Sequence, residues 1–511
     1  MANSSNSKLI LKNTLFMYMR MFVLVGIGLY TSRVVLQVLG VVDYGIYNVV
    51  GGIVSLFIFL NGALSHATQR FIAYDLGKGD IGKLKNTFSM CINVHIIIAL
   101  IIFLLADTIG LWIVYNKLVI PEERFTTALW VYHFSILSSL ISICQVPFNA
   151  TINAHEKFNV YAIISIIDAI LKLLVVFLIQ YLDRDHLLAY GFGLLAIHFF
   201  QAFLYILYCI RKFSECSFRF FWDRNQFSNI FNYTSWSLIG NIADILSDQG
   251  INILLNMFFG PAVNAARGFA VQIKTQVAAF VMNFQAASNP QIVKDYAVGE
   301  KDKMIELVIR TSKMSFFLFF TIMFPLCLEM ESILDLWLKN PPKFLYEFAI
   351  IVLTTVLLQS LGGTLQMAIQ ASGQIKIYHL TVSVIKLICL PVSYWGLKNG
   401  ASPIFPLSVV MIVFSCVVGV NIYLVKRIMN FPINRYIHEV IYNDFKVFFI
   451  ASIVPFLFIY FSDTVMWRIP FTVVITTFSI VLTSYFIGFD QKEKKWIVGI
   501  VKDKFCKIVL R

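Results

Sequence analysis

Long apolar runs recur from one end of the chain to the other, separated by short stretches in which lysine, arginine and small polar residues collect. The hydrocarbon core of a bilayer, about 30 Å thick, takes about 20 apolar residues of helix to cross. On that rule the pattern predicts fourteen spans, near 14–39, 44–71, 87–114, 128–150, 160–181, 187–210 and 229–258, then 262–292, 305–338, 346–370, 377–397, 403–425, 445–462 and 469–489. The ninth is the least clean, because Arg310 and Lys313 sit near its start. The connections are short. The longest outer one, near 329–347, carries Glu329, Glu331 and Asp335, which read as solvated rim charges. The expected fold is an all-α polytopic membrane protein.

Composition narrows the class. Of 511 residues 59% are hydrophobic and 14% charged, against roughly 25% charged in soluble domains, and the mean hydropathy is +0.77. This excludes a disordered chain, a secreted disulfide scaffold, a nucleic-acid-binding module and most soluble enzymes. The eight cysteines are scattered singly without a CxxC pair, so neither a zinc knuckle nor a redox motif is available; they read as small buried hydrophobes. The N-terminus is polar and basic with no small-residue cleavage site, so Met1 onward is expected to be mature protein.

The net charge of +13 matters through its placement. With the N-terminus inside, 29 of the 41 lysines and arginines fall in inside segments and 7 in outside loops. By the positive-inside rule both termini are expected to be cytoplasmic and the number of spans even.

Residues 40–86 align without gaps on 260–306. Gly40 meets Gly260, Ala67 meets Ala287, Ile72 meets Ile292, and Asp75, Gly79 and Lys83 meet Asp295, Gly299 and Lys303. Ala154 and Tyr161 likewise meet Ala371 and Tyr378. Identity is low, and chance matching is the alternative to an internal duplication. A duplication makes two pseudo-symmetric six-helix bundles, 1–225 and 226–430, followed by 431–511 with two additional spans and a basic tail. Parallel repeats place a substrate site between the halves, near mid-bilayer, with alternating access by rocking.

Three stretches carry a resemblance: Gly40-Val-Val-Asp-Tyr-Gly-Ile-Tyr47, Asn252-Ile-Leu-Leu-Asn-Met-Phe-Phe-Gly-Pro-Ala-Val-Asn-Ala-Ala-Arg-Gly268, and Asn289-Pro-Gln-Ile292 leading into Gly299. With them the whole chain, in span number and loop length, resembles the polysaccharide-transport (O-antigen-unit flippase) branch of the multidrug/oligosaccharidyl-lipid/polysaccharide (MOP) exporter superfamily. The resemblance implies a flippase that moves undecaprenyl-pyrophosphate-linked oligosaccharides to the periplasmic leaflet of a bacterial inner membrane. The partners expected are the lipid-linked oligosaccharide and membrane lipids, with the polysaccharide polymerase machinery beyond them; no cofactor and no nucleic acid are expected.

Ionisable residues inside spans each cost about 2.5–3.5 kcal/mol on insertion scales. The basic ones are Arg33, Lys172, Arg267, Lys274 and Lys386, with Arg20 nearer the inner face. They outnumber the acids Asp107, Asp168, Asp244 and Asp248, which fits an anionic pyrophosphate held in a cationic cavity. Snorkelling is the alternative for Arg20 and Arg33. Asp168 and Lys172 are four apart in the order that favours a helical ion pair. Asp244 and Asp248 share a helix face, where two carboxylates share a proton or hold a sodium ion; a salt bridge to Arg267 or Lys274 is the plainer account. Asn and Gln crowd the seventh and eighth spans, either to bind sugar hydroxyls or as interhelical glue. The competing functions are a cation-coupled multidrug exporter, a membrane glycosyltransferase, polymerase or ligase, and a lipid-linked peptidoglycan-precursor flippase. No outer loop is long enough to display a catalytic domain, so an enzyme is not expected.

Overall fold

A computed structural model describes residues 2–57, 68–69, 71–72, 75–76, 79–155, 157–183, 185–217, 221, 223–462, 465–491 and 493–494. Within these, side chains are described except at 2–22, 57, 158, 225–241, 283, 286–287, 290, 294, 297, 375 and 465–466. Among the described residues there are helices and turns and no strand. The helices are α1 (Ala2–Phe57), α2 (Ile81–Asn116), α3 (Glu122–Ala154), α4 (Phe158–Ile179), α5 (His186–Lys212), α6 (Arg224–Phe259) and α7 (Pro261–Ala297). They continue with α8 (Lys301–Leu328), α9 (Met330–Leu338), α10 (Leu345–Ala371), α11 (Ile375–Leu387), α12 (Cys389–Lys398), α13 (Ile404–Met429), α14 (Ile433–Phe461) and α15 (Val465–Thr483).

Eleven stretches among the described residues are long and apolar enough to cross a membrane. Of the fourteen expected spans, the first two fall in one of these stretches and those at 229–258 and 262–292 are not among them. The first two expected spans, as far as residue 57, both lie within α1, and the non-helical backbone at Gly40 separates them across a kink, between 39 and 44 where the sequence pattern puts the break. Helices α6 and α7, 36 and 37 residues long, have the length but are interrupted by Asn, Gln, Asp and Lys. The stretch near 329–347 holds a short helix, and only its residues 339–344 are a loop. Helix α8 closes at Leu328 and α9 begins at Met330, and Glu329 between them is buried rather than solvated.

Local chemistry accounts for the breaks. Gly40 takes φ 76°, ψ 172°, a region open essentially to glycine alone. The Asp80 carboxylate accepts from Lys83 N–H at 3.0 Å and caps α2. Pro261 opens α7, where its missing N–H costs nothing.

The aligned positions of the repeat share backbone geometry. Gly40 and Gly260 have φ of 76° and 78°, and Gly79 and Gly299 have φ of 74° and 79°. Gly79 N–H donates to Leu76 O and Gly299 N–H to Tyr296 O, each at 3.1 Å, and Leu84→Asp80 is matched by Met304→Glu300. Asp75 and Asp295 are both buried. Ala154 and Ala371 each end a helix.

The chain forms two compact units, Met1–Gly268 and Phe269–Arg511. In the first, α1 lies along α4 and also meets α3 and α6, while α3 pairs with α5. In the second, α10 packs between α8 and α13, with α15 also on α8. Helices α8 and α10 are the enclosed ones: 61% of the most apolar stretch of each is buried, against 22–33% in the other nine. An aromatic seam joins α8 to α14, with Phe320 and Phe448 centroids at 4.8 Å and Phe324 and Phe456 at 5.6 Å. Such pairs contribute about 0.5–1.5 kcal/mol each beyond burial.

Candidate functional site

In the first unit, the run Gly40–Tyr47 builds one wall of a polar hollow. The Gly40 kink re-aims the second half of α1, and Gly45 lets it approach α7: a Cβ there would lie 1.8 Å from the Pro261 carbonyl oxygen. Asp43 is held by Arg124, whose Nε donates to Oδ1 at 2.8 Å and whose Nη2 reaches Oδ2. The same guanidinium bonds Asp185 at 2.9 Å, which also accepts from Thr127 and from the Leu187 and Leu188 N–H groups at the start of α5. Partial burial works against the Asp185 charge, but the Thr127 and backbone hydrogen bonds and the Arg124 charge outweigh it and hold the carboxyl below the ordinary range. One arginine thus ties α1, α3 and α5 together.

Tyr44 and Tyr47, one helical turn apart, then face inward, with Tyr190 of α5 edge-on to Tyr47 at 5.1 Å between centroids. They border a cavity of about 270 Å³ that Thr31, Ser32, Asp168 and Lys172 also line. Tyr47 is shared with a second cavity of about 300 Å³, lined by Asn48, Ser55, Ser135, Ser138, Ser139, His198 and Gln249. Lys172 Nζ sits 2.8 Å from Asp168 Oδ2. Asp168 Oδ1, Thr31 Oγ1 and His198 Nδ1 are buried without a hydrogen-bond partner among the described residues. Buried polar atoms are ordinarily paired, so these three, all on cavity walls, mark positions for a polar guest or ordered water. The hollow offers one ammonium, flat aromatic faces and a bank of hydroxyls, a combination suited to a hydrated, sugar-like or anionic group.

The other expected site residues are scattered. Arg20 lies outside the described side chains. Arg33 is half-buried on α1 just past Thr31 and Ser32. Arg267, 6% exposed, donates to Asp248 O at 2.6 Å and to Asp248 Oδ1 at 2.8 Å, while Gln249 donates to Asp248 Oδ2. The salt-bridge account of Asp248 is therefore the one the geometry displays; Asp244, one turn earlier, is exposed. In the second unit Lys274 is half-buried on α7, and Lys386 lies 5.2 Å over the Phe414 ring. Asn252, Asn256 and Asn264 bond one another and the backbone in full burial and act as glue, whereas Gln249 lines the cavity. Sequence reasoning missed His198, the tyrosines and the α3 serines. The signal was present: Ser135, Ser138 and Ser139, three and four apart, share one helix face.

No family model and no curated protein sequence matches the chain. Solved structures do. An inward-facing multidrug resistance MATE family transporter of the MOP superfamily is 13% identical, with 80% of this chain and 95% of that chain covered and a TM-score of 0.68. The lipid II flippase MurJ in an inward closed conformation is 16% identical over 92% of this chain and 98% of that one, also at 0.68. A MOP superfamily transporter from Pyrococcus furiosus, whose binding pocket is described as reversed in polarity, suggesting a different function, is 13% identical over 84% and 96% at 0.60. The chain has the MOP transporter fold. Within the MOP fold, the Tyr44–Tyr47–Lys172 hollow lies wholly in the first unit. By their descriptions these three structures are a multidrug transporter, a lipid II flippase and a further MOP superfamily transporter.

Proposed function

We propose that the chain is a flippase for undecaprenyl-pyrophosphate-linked oligosaccharide, carrying it from the inner to the outer leaflet of a bacterial cytoplasmic membrane for surface polysaccharide synthesis. In this reading the chain crosses fourteen times with both termini cytoplasmic, and two pseudo-symmetric halves alternate access to a cationic cavity. Lys172 takes part in holding the pyrophosphate, with Arg20, Arg33, Arg267, Lys274 and Lys386 as further cationic contacts along the path and Asp244 and Asp248 as the ion-coupling acids. The tyrosine faces and serine hydroxyls meet the first sugars, and the polyprenyl tail stays in lipid.

The observation that carries the proposal is the first-unit hollow, where a lysine, three tyrosines and buried polar atoms without a partner among the described residues converge. It occurs in a fold shared with a lipid II flippase. A low-dielectric path for a phosphate-bearing headgroup needs positive charge. Asp168 on the same wall favours one other reading, a cation-coupled drug exporter, because its Oδ1, without a partner among the described residues, suits a cationic guest.

The test is deletion of the gene and analysis of lipid-linked sugars, with complementation by variants whose surface expression is matched. Unflipped lipid-linked oligosaccharide accumulates in the deletion strain, and Lys172→Met fails to clear it. A selective gain in drug sensitivity with normal glycan export would instead favour the exporter. Normal export by every lysine and arginine variant, each made singly, would rule out the cationic cavity.

A further inference from the structure

Lys313, on the second turn-pair of α8, is a fully enclosed cation. Its side chain is 2% exposed and its Nζ lies 2.6 Å from Glu493 Oε2. That oxygen also accepts the Asp490 N–H at 2.9 Å. A second acid, Asp444 of α14, is completely buried, and neither of its carboxylate oxygens has a hydrogen-bond partner among the described residues. The charged groups acting on Asp444 are the Lys313 ammonium from α8 and the Glu493 carboxylate from the segment after α15. From the first turn of α14 the Tyr436 hydroxyl is within electrostatic reach, and it contacts Ser312 of α8 and the Leu361 carbonyl of α10. Farther out, Arg435 pairs with Glu439 and feels Glu306 and Asp490.

One ammonium is thus set electrostatically against two acids, and all three are buried. Fully ionised, the cluster carries a surplus negative charge, and a buried ion without a partner is strongly disfavoured. The neutral cluster requires one proton. Glu493 is already engaged by Lys313 and a backbone N–H, which leaves Asp444 as the proton's place.

We propose that Lys313, Asp444 and Glu493 form a binding site for one exchangeable proton, carried by Asp444. With the proton on Asp444, Lys313 pairs with Glu493 and fastens the segment after α15 onto α8. When the proton departs to water, the Asp444 carboxylate competes for Lys313 and the grip on Glu493 loosens. No other group is oxidised, reduced or transferred. The inference does not depend on what the chain carries.

The test is infrared difference spectroscopy of the full-length protein in lipid bilayers, titrated over about pH 5 to 9. A protonated-acid C=O stretch is expected at the acid end that vanishes toward the alkaline end and is absent from Asp444→Asn. Lys313→Met moves the disappearance upward by about 1–3 pH units, since the cation favouring the ionised form is gone. Glu493→Gln moves it downward, because Lys313 is then free to serve Asp444. A purely structural cluster would not produce these opposite shifts. Identical native and Asp444→Asn spectra overturn the proposal, as do shifts of the same sign in the two partner variants. Failure of Asp444→Asn to fold also overturns it, because the amide has the shape and neutrality of the protonated acid.

Discussion

Glu329 and Arg468 make a buried pair whose two members are unequal, and the inequality is measurable. The Glu329 side chain has no exposure, while that of Arg468 is 18% exposed. The carboxylate accepts from Arg468 Nε at 2.8 Å and Nη2 at 2.9 Å, and from Thr472 at 2.7 Å. Arg468→Met removes two of these three donors and strands the charge where water does not reach, a loss of about 3–5 kcal/mol. Glu329→Gln leaves a neutral amide that still accepts from Thr472, and the freed guanidinium can turn toward solvent. Its loss is that of charge-assisted hydrogen bonds, about 1.5–3 kcal/mol. The double variant has neither a stranded charge nor an unpaired guanidinium, so it is expected to be more stable than Arg468→Met alone. Denaturation of the purified full-length protein in mixed micelles, followed by far-UV circular dichroism, gives the cycle. Equal losses in the single variants, with a double variant equal to their sum, would refute the reasoning.

Three further outcomes are expected. Gly45→Ala drives a methyl into the Pro261 carbonyl and should sharply lower the yield of folded protein, whereas Gly51→Ala meets open space and should leave the melting temperature unchanged or higher. Gly79→Ala and Gly299→Ala each force a side chain into the left-handed region, at about 1–2 kcal/mol, and near-equal shifts in the same melting assay would reflect their equivalent turns. Asp185 has its carboxyl held below the ordinary range, so its contribution is full above about pH 4 and is lost as the pH falls through the folded-state value. Melting profiles should therefore show acid destabilisation that Asp185→Asn, less stable at neutral pH, displays less steeply.

The helical architecture was legible because it depends on a local quantity, the length of an apolar run. The α8–α9 break at Glu329 was not, because it reflects a partner 139 residues away that draws an acid into the protein. Lys313 misled for the same reason: near the start of a span it looks like an interfacial cation, and only the segment after α15 turns it into half of a buried pair. The motif Gly40–Tyr47 was recognisable as a pattern, and its physical content emerged only in three dimensions. Gly40 supplies a dihedral, Asp43 an anchor for Arg124, Gly45 a close approach to Pro261, and the tyrosines a cavity wall.

Counting intramembrane cations along the sequence does not show how each of them is engaged. Arg267 is spent on Asp248 and ties α7 to α6, and Lys386 has a phenyl ring beneath it. Lys172 is different in kind. It also has an acid partner, but Asp168 Oδ1 and the nearby His198 Nδ1 are buried without hydrogen bonds among the described residues, on the walls of cavities large enough for guests. A pair that exists only to neutralise itself would satisfy its own lone pairs, as Glu329 and Arg468 do with the help of Thr472. The incompleteness of the Asp168–Lys172 environment is what distinguishes a binding wall from a structural bridge, and it is a property of geometry that no spacing of charges along the chain can encode.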